Sequence, residues 1–362
     1  MIRRLLKTAF PRKYVLGRFM RHVYSFFWML RYDRRRLIEL RYNIAVEPLL
    51  NDLDLLNKKI KDLQVLSKSD SSQKKFFIIN RKEDASAGLF SHVSVSFSHF
   101  LYAIAMGMIP IVDMQSYPNP YLEHDKIGKE NAWEYYFKQP CGYGLDDAQV
   151  RSGYHVSGHP FYWQTVLPLY LHGVKEDFAN CVNTWGIIYK HFFRLSDDAI
   201  LYVDEQYRSI MKPDMRTIGV HCRGTDYTKK RPKNHAVQPE VKDVISKVKE
   251  VIVDWDCDYV YVMSDEKKSV EQFEDAFPGK VLSVPIMYYD EADADYSQQS
   301  IVSAKFDREN DTYLKGLEYL ASVMLLSRCT SAVLSSCNGS TAALYINGGK
   351  YENLYFFDLG VY

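Results

Sequence analysis

The densest chemistry lies in GVHCRGTDY (219–227), where an apolar run leads straight into His221, Arg223, Thr225 and Asp226. Charged groups at the carboxyl end of a buried strand cost free energy unless they are paired or used. This stretch therefore predicts a strand that delivers a cation into a cleft. The alternative is an Arg223–Asp226 ion pair that ties a loop. A second run, VMSDE (262–266), also ends in acid. A carboxylate only accepts hydrogen bonds. Guanine offers N1–H and N2–H2 side by side, whereas uracil offers one such donor, so Asp265 favours guanine. Otherwise Asp265 N-caps the helix that follows. A third run, LSSCNGST (334–341), turns from strand to helix through Ser335, Ser336, Asn338, Gly339 and Ser340, with Ser340 or Thr341 as the cap. Free N–H groups and hydroxyls at a helix N-terminus make a phosphate cradle. An arginine, a base-reading acid and such a cradle together predict a nucleotide-diphosphate site.

These residues need a scaffold, and the chain alternates strand and helix patterns. KKFFIINRK (74–82) reads as a buried strand, 91–107 as a helix ended by Gly107, and MIPIVDM (108–114) as the next strand, a β-α-β unit. Its junctions hold Gly88, Ser91, His92 and Asp113, and ligands bind at such strand ends in open α/β sheets. Helices are predicted near 131–137, 174–193 and 196–211. Trp133, Tyr135 and Tyr136 are either core residues or an acceptor platform. His92 and His99, on a helix, fit packing or acceptor contacts. A second series follows, with strands at 215–222, 258–263, 279–284, 331–336 and 354–359. Its helices run from Pro239 to about 252 and over 269–277, 313–329 and 340–348. The pattern predicts α/β architecture, with two Rossmann-like domains at 74–212 and 213–362 facing across a cleft.

Residues 1–73 differ from the body. Positions 1–41 carry twelve Lys/Arg against Asp33 and Glu39, a net of +10, while the whole chain carries +1. A basic, aromatic-rich arm on an acidic body predicts binding to an anionic membrane surface. Its longest uncharged apolar run, residues 23–30, is too short to span a bilayer, and Arg18 and Arg21 interrupt any signal-peptide core. Leu49, Leu53, Leu56, Ile60 and Leu63 then recur at heptad-like spacing, as in a helix packed on the body. The near-neutral total argues against a nucleic-acid binder. The six cysteines form no C-x-x-C pair and read as reduced thiols in a cytoplasmic protein. No G-x-G-x-x-G, P-loop, H-E-x-x-H or G-x-S-x-G appears. The D-x-D triplets (52/54, 254/256, 256/258 and 293/295) lie in a helix, before a strand or in an acidic loop, so no metal site is expected.

On these residues the chain resembles the fucosyltransferase superfamily of GT-B enzymes, nearest the core α1,6-fucosyltransferases and the rhizobial chitooligosaccharide fucosyltransferases. The family's H-x-R-R-T-D strand is similar to H-C-R-G-T-D here. Its later [ST]-D-D strand end and Ser-Ser turn resemble Ser264-Asp265-Glu266 and Ser335-Ser336, and its G-x-x-S helix opening resembles Gly88 to Ser91. The resemblance in layout covers about 75–360. It implies a GT-B-like fold and a metal-independent, inverting transfer of fucose from GDP-fucose to a glycan hydroxyl. Arg223 would grip the diphosphate, His221 and Asp265 the guanine, and Ser336 the β-phosphate. The family's second arginine is Gly224 here, so that contact falls to another residue such as Lys229, Lys230 or Arg231. His235, then Asp226 and Asp113, are the candidates for a base. The rival readings are a GT-B enzyme using another nucleotide sugar, and a non-catalytic GDP- or glycan-binding module.

Overall fold

The structure, a computed structural model, describes residues 41–69, 74–82, 85–150, 154–156, 178–223, 231, 233, 235–289, 302 and 304–362. The basic arm up to residue 40, Gly224, Thr225, Asp226, Lys229, Lys230 and the 293/295 triplet lie outside the described residues. The heptad-like segment is two helices, not one. Residues 41–51 are helical, and Asp52 then breaks the run by capping α1 (Leu53–Lys68), its carboxylate accepting from Leu55 N–H. Leu49, Leu56, Ile60 and Leu63 pack into the main core.

Among the described residues two all-parallel sheets organise the rest, as the α/β reading predicts. The first comprises β1 (Phe76–Asn80), β2 (Ile109–Asp113) and β3 (Tyr154–Val156) in the order β2-β1-β3. β1 and β2 read as continuous apolar runs because both faces of a parallel sheet are covered. Between them runs α2 (Leu89–Met106), buried along most of its length. Its Ser94 and Ser98 hydroxyls donate to the carbonyls four residues earlier, so burying them costs little. α2 is long and apolar enough to cross a membrane, yet 83% of it is buried inside the fold. The predicted helix at 131–137 is instead a series of turns. Asn131 Oδ1 accepts from Met114 and Trp133 N–H groups while its amide donates to the Val112 carbonyl, bonds that compete with a helix. Trp133 and Tyr136 are fully buried core residues, not an exposed platform.

After α3 (Leu145–Val150), α4 (Phe178–Phe192) and α5 (Asp197–Ile210), capped by Ser196, the second sheet begins. It comprises β4 (Thr217–Cys222), β5 (Tyr259–Ser264), β6 (Val281–Leu282), β7 (Ser331–Ser335) and β8 (Leu354–Phe357) in the order β6-β5-β4-β7-β8. The connecting helices are α6 (Val241–Val251), α7 (Lys267–Ala276), α8 (Asp311–Ser327) and α9 (Asn338–Asn347). The sheet starts in its middle, runs out to β6, then returns past β4 to β7. That reversal is a topological switch point, where α/β sheets leave a crevice outside their strand ends.

Strand alternation sets which residues face which helices. Ile218, Val220 and Cys222 point to the core shared with α6 and α7. Gly219 and His221 point the other way, beneath α8 and α9. An added Cβ on Gly219 would lie 2.6 Å from Leu326 Cδ1 and 2.9 Å from Cys329 Sγ, so α8 packs directly on the β4 backbone. The Tyr261 hydroxyl fixes β5 to the same helix by donating to the Ser322 carbonyl at 3.0 Å. One hydrophobic core continues from the first sheet to the α8 and α9 face of the second.

Candidate functional site

The ends of β4 and β5 open on a pocket of about 630 Å³, counted out to its open mouth, and Ser335, Ser336, Asn338, Gly339 and Ser340 of the β7–α9 turn do not line it. His221, Arg223, Ser264 and Asp265 line it from the strand ends, Lys315, Glu318 and Tyr319 from α8, and Tyr121 from the N-terminal half. Three residues predicted for the donor site thus share one wall. Arg223 does not stand ready by itself. Its Nη1 donates to Asp265 Oδ2 at 3.0 Å, in an ion pair whose side chains are only 16% and 10% exposed. Asp265 is not the cap of the helix that follows. The α7 cap is Glu266, whose side chain makes no capping bond.

The expected phosphate cradle has a different construction from the predicted cap. Cys337, not Ser340 or Thr341, is the N-cap of α9. Ser340 is fully buried and its hydroxyl meets His221 Nδ1 at 3.0 Å. Cys337 Sγ lies 3.2 Å from the same nitrogen and 3.3 Å from Ser340 Oγ. Ser335 Oγ donates to Gln238 Oε1 at 2.7 Å, and the Gln238 amide donates to the Ser336 carbonyl, bracing the turn. Ser336 Oγ and Asn338 Oδ1 are buried and make no hydrogen bond. Orphaned polar atoms of this kind in a native fold call for a partner, and a phosphate oxygen suits the Ser336 hydroxyl. Gly339 is required by close approach: a Cβ there would meet the Tyr319 hydroxyl at 2.7 Å and His221 Cε1 at 2.9 Å.

The residues predicted on the acceptor side stand behind this pocket, not in it. Gly88 is the N-cap of α2, and the next N–H, of Leu89, donates to the Tyr121 hydroxyl at 2.6 Å. His92 packs edge-on against the Tyr121 ring at 6.4 Å. Burial pushes the His92 imidazole well below its ordinary range and the Arg81 charge adds to this, so it is a neutral buttress for Tyr121. His99 is likewise held down to about 3, by burial and then by Arg81. Ser91 Oγ accepts from Arg81 Nη1 at 3.3 Å. Asp113 is buried and accepts from Asn80 Nδ2 and from the Gln115 and Ser116 N–H groups, which makes it a turn former and not a base. His235 does not line the pocket; its carbonyl accepts from Tyr362 N–H at 3.0 Å.

Sequence reasoning missed the contribution of α8. Its Glu318 carboxylate is gripped by both Nη atoms of Arg308, and Arg308 Nε also holds Asp311 at 2.8 Å. Lys315 Nζ donates to the Ala304 carbonyl at 2.7 Å and lies 3.2 Å from Asp311. Burial pushes the Lys315 ammonium down against the attraction of Asp311. The signal was present: two opposite charges three residues apart inside the otherwise apolar YLKGLEYLASVMLL. Lys315 also lines an adjoining cavity of about 820 Å³, with Ser86, Asn119, Glu123, His124 and Thr312. Among the described residues no group of three or more His, Cys, Asp or Glu is placed to hold a metal ion, and all six cysteines are free thiols.

No family model matches the chain, and no curated protein matches it. Solved structures do resemble it. The fucosyltransferase NodZ from Bradyrhizobium is 15% identical with a TM-score of 0.47, over 79% of this chain and 96% of that one. An Arabidopsis thaliana FUT1 mutant in complex with GDP is 12% identical with a TM-score of 0.44, over 88% of this chain and 78% of that one. POFUT1 in complex with GDP-fucose is 11% identical with a TM-score of 0.42, over 82% and 100%.

Proposed function

We propose that this chain is an inverting, metal-independent glycosyltransferase that moves fucose from GDP-fucose to a hydroxyl of a glycan. The observation that carries the reading is the switch point. β4, which ends at Arg223, and β7, which ends at the Ser336 turn, are neighbours there, and nucleotides sit at such points in doubly wound sheets. The likeness of HCRGTD, SDE and the Ser-Ser turn to the fucosyltransferase motifs supports the same donor.

Donor binding trades the Arg223–Asp265 ion pair for two better-matched contacts. The diphosphate takes the guanidinium, and the released carboxylate accepts N1–H and N2–H2 of guanine. As the C1–O bond breaks, the sugar becomes oxocarbenium-like and negative charge grows on the leaving diphosphate. Arg223, the Ser336 hydroxyl and the positive end of α9 stabilise that charge in place of a divalent ion. The pocket carboxylates Asp265 and Glu318 are each held by a guanidinium, so the reading assigns neither as a base. The cavity beyond Lys315 is the proposed acceptor approach. The arm over 1–41, with its net +10, would hold the enzyme on the cytoplasmic face of an anionic membrane, where a lipid-linked glycan intermediate is a fitting acceptor.

Donor hydrolysis with GDP-fucose, GDP-mannose and a UDP-sugar, each with and without chelator, tests the reading. Turnover of GDP-fucose alone, indifferent to chelator, is expected. A preference for another sugar nucleotide overturns the donor, and tight GDP binding with no turnover on any acceptor makes the chain a binding module.

A further inference from the structure

The resting site contains a contact that the donor reading does not use, and it turns His221 from the guanine, where the family resemblance put it, to the diphosphate. Cys337 Sγ is 3.2 Å from His221 Nδ1, and Ser340 Oγ closes the triangle at 3.0 Å from the nitrogen and 3.3 Å from the sulfur. All three residues are buried. Cys337 is also the N-cap of a ten-residue helix, where the helix dipole favours an anion. With Nδ1 turned to the sulfur, Nε2 is the ring nitrogen left for the pocket that His221 lines.

We propose that Cys337 and His221 form a thiolate–imidazolium pair, with the thiol proton residing on His221 Nδ1, so that Nε2–H is offered to the donor diphosphate as a charged hydrogen-bond donor. The step is a proton transfer: the S–H bond breaks, the Nδ1–H bond forms, and the pair stays neutral overall. Cys337 is a positioning residue, acting through His221. The pair supplies a second charged donor where the sequence places Gly224, not a cation, after Arg223.

The electrostatics agree. Burial alone would push the Cys337 thiol up, but the His221 charge and the hydrogen bonds from His221 and Ser340 bring it down to about 6. By contrast, burial pushes the thiols of Cys141, Cys222 and Cys329 up to about 12. The other ionisable groups facing the pair leave it this role. From β4 and β5 come Arg223 and Asp265, bonded to each other, and from α8 come Lys315 and Glu318, held by Asp311 and Arg308. Burial drives the Tyr121 and Tyr289 phenols above their usual range. Tyr319 stands over Gly339.

The inference rests on the donor-site reading, and its test separates the two. The full chain is compared with Cys337→Ser and Cys337→Ala, each checked for an unchanged melting temperature. Thiolate absorbance at 240 nm, taken as wild type minus variant, is expected to titrate near pH 6 without any nucleotide. If it rises only above pH 8, there is no thiolate–imidazolium pair and the inference is overturned. GDP titration is the second arm. A charged hydrogen bond replaced by a neutral one predicts about tenfold weaker binding in both variants at pH 8. That ratio closes toward one at pH 5.5, below the Cys337 value of about 6, where the thiolate that sets the wild type apart takes up a proton. Equal affinities at pH 8, or a ratio that does not move with pH, overturn the inference. Failure of the wild type itself to bind GDP overturns the donor reading and the ligand assigned here, whatever the absorbance shows.

Discussion

Arg223 concentrates the cost and the use of charge in this protein. Its guanidinium is held at 3.0 Å by Asp265 in a largely buried pair, so it is aimed before any ligand arrives. Losing a comparable preorganised donor lowers rates by about 10²–10³. Arg223→Ala is expected to reduce donor turnover by that order while the chain still folds, read from kcat/KM. A folded variant of near-native activity would defeat the assignment. The same change removes a charged partner from Asp265 and should lower stability by about 1–3 kcal/mol. In a double-mutant cycle with Asp265→Ala the two losses should be less than additive. The arginine and the acid were each legible at strand ends. Their contact was not, because Arg223 and Asp265 are 42 positions apart and meet only once β4 and β5 pair in register. The histidines of α2 carry a second prediction. A folded imidazole pKa of about 3 for His99, against 6.5 when unfolded, means the unfolded chain binds more protons below pH 6.5. Stability is then complete above pH 6.5 and is lost as pH falls toward 3, at about 1.4 kcal/mol per pH unit for each such histidine. Denaturant melts between pH 7 and 4 read this; a flat profile would contradict neutral burial of His99.

At the scale of elements, the site depends on how closely α8 and α9 approach β4. Gly339 lets the start of α9 meet the His221 ring, since any Cβ there collides with it and with Tyr319. Gly339→Ala is expected to weaken GDP binding more than it lowers the melting temperature, because it moves the ring and the hydroxyl before the core. Equal effects on both would place the glycine in packing alone. Gly219→Ala presses on Leu326 and Cys329 instead and should cost about 1–3 kcal/mol of stability. Periodicity made nearly every strand and helix of both series legible, since buried parallel strands and amphipathic helices repeat at different periods. Two expectations failed for local reasons. Asp52 and Asn131 use their side chains on neighbouring backbone groups, which ends one helix and replaces another with turns. Strand order was not legible either, because periodicity carries no information on which strand lies beside which. Only the order β6-β5-β4-β7-β8 brings HCR and SSC to neighbouring strand ends.

The whole molecule is charge-divided, with a net +10 over residues 1–41 on a chain of net +1. Surface binding through such an arm should be strong to anionic vesicles at low salt and weak once ionic strength shortens the Debye length. Cosedimentation of the full chain and of a chain lacking residues 1–40 measures it. Equal binding by both would remove the membrane from the account. The cut belongs at 40 and not at 73, since Val46, Leu49, Leu56, Ile60 and Leu63 between them are part of the main core. The central claim, however, is where a diphosphate sits. Crystals grown with GDP measure it most directly. The account predicts the β-phosphate within hydrogen-bonding distance of the Arg223 guanidinium and the Ser336 hydroxyl, with Asp265 turned onto the guanine edge. A nucleotide bound away from the ends of β4 and β7, with the Arg223–Asp265 pair still closed, would contradict it.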